Sequence, residues 1–149
     1  MATEEDLGPR LSSRLTYRLK RALMDLEGLH EHHLGPSGIS GRELAVLLFL
    51  DGREPESQQQ AAAGLGIDRT TMVGLLDSLE SKNLVARRPG AADRRRNVIV
   101  LTDAGHAKLQ QATEASDAAE RELLAALDEH EAGQLRALLE RVTANRARA

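Results

Sequence analysis

The chain has no cysteine, which excludes disulfides, zinc–thiolate centres and thiol-based redox sensing outright. Aromatic residues are nearly as scarce, with Tyr17, Phe49 and no Trp, so Leu and Ala must build the core. Only four prolines interrupt 149 residues, and the abundance of Leu, Ala, Glu and Arg beside them argues for a mainly α-helical fold. The longest wholly apolar run, Leu44–Leu50, is seven residues, against the roughly 18 that a membrane span needs. Met1 to Arg10 is acidic and polar and lacks the apolar stretch of a secretion signal. The expectation is a soluble cytoplasmic protein with no membrane partner. Enzyme signatures are missing too: no Gly-rich phosphate loop, no His-Glu-x-x-His helix, no Ser in a strand-to-helix elbow. Neither a catalytic activity nor a cofactor is expected.

What is there is a globular balance of 41% hydrophobic and 29% charged residues in a length that suits one domain over residues 1–149. Net charge is −3, which by itself argues against nucleic acid. The distribution reverses that inference. Lys82, Arg87, Arg88, Arg94, Arg95 and Arg96 stand against Asp93 alone, a local balance of +5 that leaves −8 for the remainder. A short basic block on an acidic body is the pattern of a groove-reading element, with a solvated loop as the alternative. Arg (17) far outnumbers Lys (3), which fits either a GC-rich genome or a use for planar guanidinium groups.

Spacing orders the elements. Leu11, Leu15, Leu19, Leu23 and Leu26 form a helical stripe, predicting a long first helix over Leu7–His33 that ends in the turn Gly35-Pro36-Ser37-Gly38. Ser40 with Glu43 makes a capping box for a second helix through Leu50, and Ser57 with Gln60 another for a short helix to about Gly64. After the turn Gly64-Leu65-Gly66-Ile67, Asp68 caps a helix to about Lys82, with Met72, Leu75, Leu76 and Leu79 inward. Asn83 suits a left-handed residue that closes it. Leu84–Arg88 and Asn97–Leu101 read as two strands of a hairpin with a basic tip. Thr102 caps a long helix to about Leu127, and Asp128 with Glu131 caps a last helix carrying Leu135, Leu138, Leu139 and Val142. Only the first few residues and Arg146–Ala149 are expected to fray.

Two helices flanking a glycine turn, followed by a basic hairpin, make a winged helix-turn-helix lobe over residues 40–101. The second of these helices is expected in the major groove of duplex DNA. Arg69, Thr70 and Thr71 occupy its first turn, where a guanidinium can bind guanine and hydroxyls or amides can meet phosphate. Gly74, one turn further, has no stabilising role within a helix, so close approach to DNA is the functional reading and a neutral solvated face the alternative. Arg94 and Arg96 are candidate phosphate contacts. Strand alternation admits only one of Arg87 and Arg88, and Arg88 is the candidate.

Residues 57–105 resemble the MarR (multiple antibiotic resistance regulator) family of bacterial transcription factors. The stretch Ala62 to Val73 is similar to the family's turn and recognition helix, and Leu75–Val85 resembles its Leu-x-x-Leu-Glu-x-x-Gly-Leu-Val continuation, with Asn83 where glycine is usual. The run Asp93 to Gly105 matches the wing pattern of Asp-x-Arg, a short strand, then Leu-Thr-x-x-Gly. The resemblance implies that Arg95 enters the minor groove and that Asp93 braces the turn by pairing with a wing arginine. It also implies a homodimer built from helices in 7–34 and 102–146, with a single-domain core as the alternative destination for their leucines. Two-fold symmetry then predicts a palindromic site with half-sites about 10 bp apart. Repression is the family's commoner mode.

A small-molecule effector, a phenolic or lipophilic anion, is a further implication of the resemblance. Arg14 and Arg18 on the first helix, beside Tyr17, are the candidate ligand residues, against the plainer reading of a basic face pairing with acids of the last helices. His30, His32 and His33 invite a metal-responsive reading, but their spacing allows at most a pair on one helical face, so no metal site is assigned. Two rivals share the fold: a non-specific architectural DNA-binding protein without an effector, and a protein-interaction module, which has no need of an arginine-rich wing.

Overall fold

The computed structural model describes residues 4–145 and, within them, side chains from residue 7 onward. The ends expected to fray, the first three residues and Arg146–Ala149, lie outside that range, as does the last residue of the flanking segment 102–146. In chain order the elements are α1 (Glu4–Ser12), α2 (Leu15–Leu34), a 3-10 turn (Gly35–Ser37), α3 (Gly41–Leu50), β1 (Glu56–Ser57), α4 (Gln58–Leu65), α5 (Arg69–Ser81), β2 (Val85–Pro89), β3 (Asn97–Leu101), α6 (Asp103–Leu123) and α7 (Glu129–Ala144). Within the described residues they form two units, 30–117 and 4–29 with 118–145.

The unit of residues 30–117 is a winged helix-turn-helix. Its caps are those the sequence implies: Ser40 with Glu43 at α3 and Ser57 with Gln60 at α4 are reciprocal capping boxes, and Asp68 caps α5. Gly66 closes α4 in the left-handed region, at φ 64°. Asn83 (φ 59°) is the one non-glycine residue with positive φ among the described residues, and it turns the chain from α5 into the wing. Helices α3, α4 and α5 bury Leu44, Val46, Leu47, Leu50, Ala61, Ala62, Met72, Leu76 and Leu79 together with Leu84, Val85 and Ile99 from the wing base. Leu34, Ile39, Leu109 and Ala112 complete this core, which is why the unit extends beyond residues 40–101 to take in the end of α2 and most of α6.

The wing has three strands, not two. β2 and β3 pair antiparallel from Val85↔Leu101 to Pro89↔Asn97, and β1 adds to the far edge of β3 through Glu56↔Ile99 and Ser57↔Val98. Two residues cannot display an alternating pattern, so nothing in the sequence marked β1 as a strand. A second set of bonds ties the wing base to its neighbours. The Leu84 carbonyl accepts from the Thr102 amide at 3.1 Å, the Thr102 hydroxyl donates to the Asn83 carbonyl at 2.7 Å and accepts from the Gly105 amide at 2.9 Å. A side chain at Gly105 would overlap the Leu84 carbonyl.

In the other unit the expected single first helix is divided. Gly8 (φ 73°, ψ 156°) kinks α1 ahead of Pro9, because a proline ring forces the preceding residue out of helical conformation. The Ser12 and Ser13 hydroxyls then bond back to the carbonyls of Pro9 and Arg10, competing with continuation of the helix into α2. α6 also stops at Leu123 rather than near Leu127, and residues 124–126 form a turn before Asp128 and Glu131 cap α7 with a reciprocal box. Little of the apolar surface in this unit is covered. Leu15, Leu23, Leu138 and Val142 are 71%, 57%, 54% and 67% exposed, and Leu11, Leu19, Met24, Leu135 and Leu139 are exposed as well.

Gly105→Ala tests the closure at the wing base. Overpacking against a main-chain carbonyl is expected to destabilise the protein by about 1–3 kcal/mol, read as a lower denaturation midpoint at unchanged slope.

Candidate nucleic-acid interface

The elements that carry the candidate DNA-contacting residues are α5 and the loop joining β2 to β3. Asp68 accepts from the Thr71 amide at 2.9 Å and from the Thr71 hydroxyl at 2.6 Å. These two donors, the hydroxyl first, hold its carboxyl below the ordinary aspartate range. The cap thus commits the hydroxyl proton of Thr71, one of the residues expected to meet DNA, to Asp68. Arg69 and Thr70 beside it are exposed. Gly74 is exposed too, and a Cβ built there meets nothing within 4 Å. No packing inside the chain requires glycine at that position.

The wing tip is a tight main-chain structure. The Gly90 amide donates to the Arg96 carbonyl at 2.7 Å, and the Arg96 amide to the Asp93 carbonyl at 3.1 Å. The Asp93 carboxylate accepts from the Arg95 amide at 3.0 Å. Asp93 therefore braces the tip through the backbone rather than through a guanidinium: among the described residues its side-chain bond is to that amide. The reason is reach, since an Asx-type bond two residues on closes a turn that a long arginine side chain would have to fold back to meet. Arg94, Arg95 and Arg96 are exposed as a result.

Arg87 and Arg88 part company as strand alternation requires. Arg88 is exposed. Arg87 folds against α5, donating to Glu80 at 2.7 Å, to Asp77 at 3.0 Å and, more weakly, to Gln58 at 3.5 Å. The C-terminal end of α5 is gripped from its other flank. Buried Glu43 of α3 accepts from Lys82 Nζ at 2.8 and 3.1 Å and from the Ser78 hydroxyl at 3.3 Å, while Lys82 also reaches the Gly38 carbonyl at 2.9 Å. Sequence reasoning gave Glu43 only its capping role and weighed Arg87 only as the alternative to Arg88 for a phosphate contact. The i, i+3 spacing of Asp77 and Glu80 opposite a strand arginine was the signal available.

The candidate ligand residues lie in the other unit. Arg14 and Tyr17 line a cavity of about 600 Å³ with Leu7, Leu11, Thr16, Lys20, Arg21 and Met24. Arg18 is exposed and is not among its lining residues. The Tyr17 hydroxyl is buried and, among the described residues, has no hydrogen-bond partner. Arg21 pairs with Asp25 on its own helix at 3.7 Å. Of the histidines, His30 Nε2 bonds the Ser116 hydroxyl at 2.9 Å, and the His32 and His33 rings meet edge to face at 5.3 Å. Among the described residues no three His, Asp or Glu side chains are grouped to hold a metal ion, and no helix is long and apolar enough to cross a membrane.

Residues 37–96 match the model of the MarR family. Among solved structures, the chain is similar to the transcriptional repressor CouR bound to a 23-mer DNA duplex, at 32% identity over 91% of this chain and 96% of that one, with a TM-score of 0.84. It is similar to CouR from Rhodococcus jostii RHA1 bound to p-coumaroyl-CoA, at 29% identity over 91% and 95% of the two chains and a TM-score of 0.78. A third likeness is to the Mycobacterium tuberculosis MarR family protein Rv2887 in complex with DNA, at 25% identity, 87% and 98% coverage and a TM-score of 0.76.

The Asp68 cap has a pH signature. Because the folded carboxyl titrates below its ordinary value, the cap contributes fully above that ordinary value, and its contribution is lost as pH falls through the folded one. Protection of the Thr71 amide from hydrogen exchange is expected to drop across that window. Asp68→Asn, which keeps an acceptor without the charge, is expected to flatten the dependence; an identical pH profile in the variant would separate the cap from it.

Proposed function

The chain belongs to the MarR family of DNA-binding transcriptional regulators, and from that premise we propose that it is a homodimeric repressor of palindromic operators, without catalytic activity. The observation that carries the reading is the exposure, on one unit, of the first turn of α5 and of a basic wing tip. Arg69, Thr70 and Gly74 are open on the helix, and Arg88, Arg94, Arg95 and Arg96 on the wing. In this reading Arg69 takes a guanine edge in the major groove, while Thr70 and the main chain at Gly74 lie against the backbone. Arg95 enters the minor groove, where a narrow A·T-rich segment concentrates negative potential. Arg88, Arg94 and Arg96 meet phosphates. Thr71, with its amide and hydroxyl both given to Asp68, holds the cap that fixes this first turn.

Dimerisation is supported by the uncovered leucines of α1, α2 and α7. Apolar rows of that extent on helices are otherwise a solubility liability, and a second copy of the same helices would bury them. Two recognition helices related by a two-fold axis then read half-sites about 10 bp apart.

An effector reading rests on the cavity beside Tyr17. Leu7, Leu11 and Met24 give it an apolar wall, it holds a buried phenol that has no partner among the described residues, and Arg14, Lys20 and Arg21 bring positive charge to it. That combination suits a lipophilic anion whose polar group bonds the Tyr17 hydroxyl. CouR has been solved both with DNA and with p-coumaroyl-CoA, and an acyl thioester of an aromatic acid is accordingly the first ligand to try. Regulation follows only if the ligand prefers a dimer geometry that DNA does not.

Selection of bound duplexes from a random pool, with the mass of the free protein measured by sedimentation, tests the proposal. A palindrome and a dimeric mass are expected; equal affinity for random duplexes would mark a non-specific architectural protein instead. Arg95→Ala is expected to weaken the selected site by about 1–3 kcal/mol, and Arg69→Ala to cost a similar amount while relaxing preference at one base pair of each half-site. Gly74→Ala is expected to stabilise the free protein by up to about 1 kcal/mol, since helix propensity rises into open space, and yet to weaken DNA binding. A variant that gained stability with unchanged affinity would remove Gly74 from the interface.

A further inference from the structure

The recognition helix carries two carboxylates, Asp77 and Glu80, one turn apart and therefore on one face. Near a phosphate backbone they are unfavourable. One guanidinium answers both: Arg87 Nη1 donates to Glu80 Oε2 at 2.7 Å and Nη2 to Asp77 Oδ1 at 3.0 Å, with Gln58 Oε1 of α4 at 3.5 Å. Arg87 sits in β2 opposite Ile99, so one side chain joins a wing strand to the recognition helix and reaches the helix before it. Its fork geometry suits two acceptors at once, which a lysine ammonium on a flexible stem does not reproduce. The Arg87 side chain is 28% exposed, and it meets Asp77 and Glu80 at the surface of the lobe.

We propose that Arg87 is a positioning residue for DNA readout. It locks the wing to α5, so that the groups reading the major groove and those entering the minor groove meet the duplex as one body. It also offsets the two carboxylates on the recognition helix. This rests on the reading of α5 and the wing as the DNA interface, and it separates Arg87 from Arg88, Arg94, Arg95 and Arg96, which in that reading touch DNA while Arg87 does not.

The test is a double-mutant cycle on the selected duplex, using the full chain. Arg87→Gln is expected to lower affinity about tenfold and to leave the dependence of affinity on salt as steep as in the parent. Arg95→Ala is expected to lose less affinity in the Arg87→Gln background than alone, because a loosened wing no longer presents Arg95 in register. Adding Asp77→Asn and Glu80→Gln to Arg87→Gln is expected to recover part of the lost affinity; no recovery would overturn the charge compensation. A salt slope reduced by about one would make Arg87 a phosphate contact, and strict additivity with Arg95→Ala would make its role merely structural; either result overturns the proposal. Hydrogen exchange of the free protein reads the lock without DNA: amides at 90–97 are expected to exchange faster in Arg87→Gln while those of Met72 and Leu76 hold. Unchanged wing exchange refutes the lock itself. Faster wing exchange in a chain that selects no duplex would refute the DNA-interface reading instead.

Discussion

The recognition helix, the wing and the helix that leaves the wing all take their positions from one crossing of main chains. Asn83 turns the chain out of α5 in the left-handed region, and Leu84 then passes so close to the start of α6 that only glycine fits at position 105. Thr102 closes the junction by bonding the Asn83 carbonyl through its hydroxyl and the Leu84 carbonyl through its amide. The same hydroxyl caps α6 by accepting from Gly105. The Leu-Thr-x-x-Gly motif is therefore a structural clasp. It touches no proposed ligand, yet it determines where the arginines of the wing stand relative to the first turn of α5.

Electrostatics explains how an acidic chain presents a basic face. Five carboxylates on and beside α5 and the wing are engaged locally: Asp68 by Thr71, Asp93 by the Arg95 amide, Asp77 and Glu80 by Arg87, and Glu43 by Lys82 and Ser78. Arg69, Arg88, Arg94, Arg95 and Arg96 are left exposed. Net charge of the whole chain is thus a poor guide to its partner, since charge that is paired within a few ångströms projects little field beyond the surface, while the exposed arginines project theirs into solvent. The cations also divide by role. Lys82 and Arg87 bond carboxylates within the lobe, whereas Arg69, Arg88, Arg94, Arg95 and Arg96 point their charge to solvent.

Much of the lobe was legible from the residues. Three capping boxes or caps, the glycine turn after α4, the left-handed Asn83 and the limits of α5 and β3 all follow from side chains bonding the backbone three residues away or from conformations peculiar to one residue type. The departures are equally specific. β1 escapes because two residues carry no period, and it exists only because β3 offers an open edge. The division of the first helix at Ser13–Arg14 hides behind a leucine stripe that runs unbroken across it, although Pro9 and the paired serines were the warning. Asp93 was expected to hold an arginine side chain and holds an arginine amide, a distinction no pattern of residue types can express.

The sequence by itself determined the caps of α3, α4, α5 and α7, the basic hairpin on an acidic body and the family, because each of these is written in neighbours along the chain. Tertiary structure alone decided which cations are structural. Lys82 meets Glu43 across 39 residues, Thr102 meets Asn83 across 19 and Arg87 meets Asp77 across 10. Side chains of identical chemistry at adjacent positions, Arg87 and Arg88, were separated into a lock and an open cation by the pleat of one strand packed against one helix. The physical reason is that a guanidinium's role depends on what lies within about 3 Å of its nitrogens, and for these residues that is set by the fold rather than by neighbours in sequence.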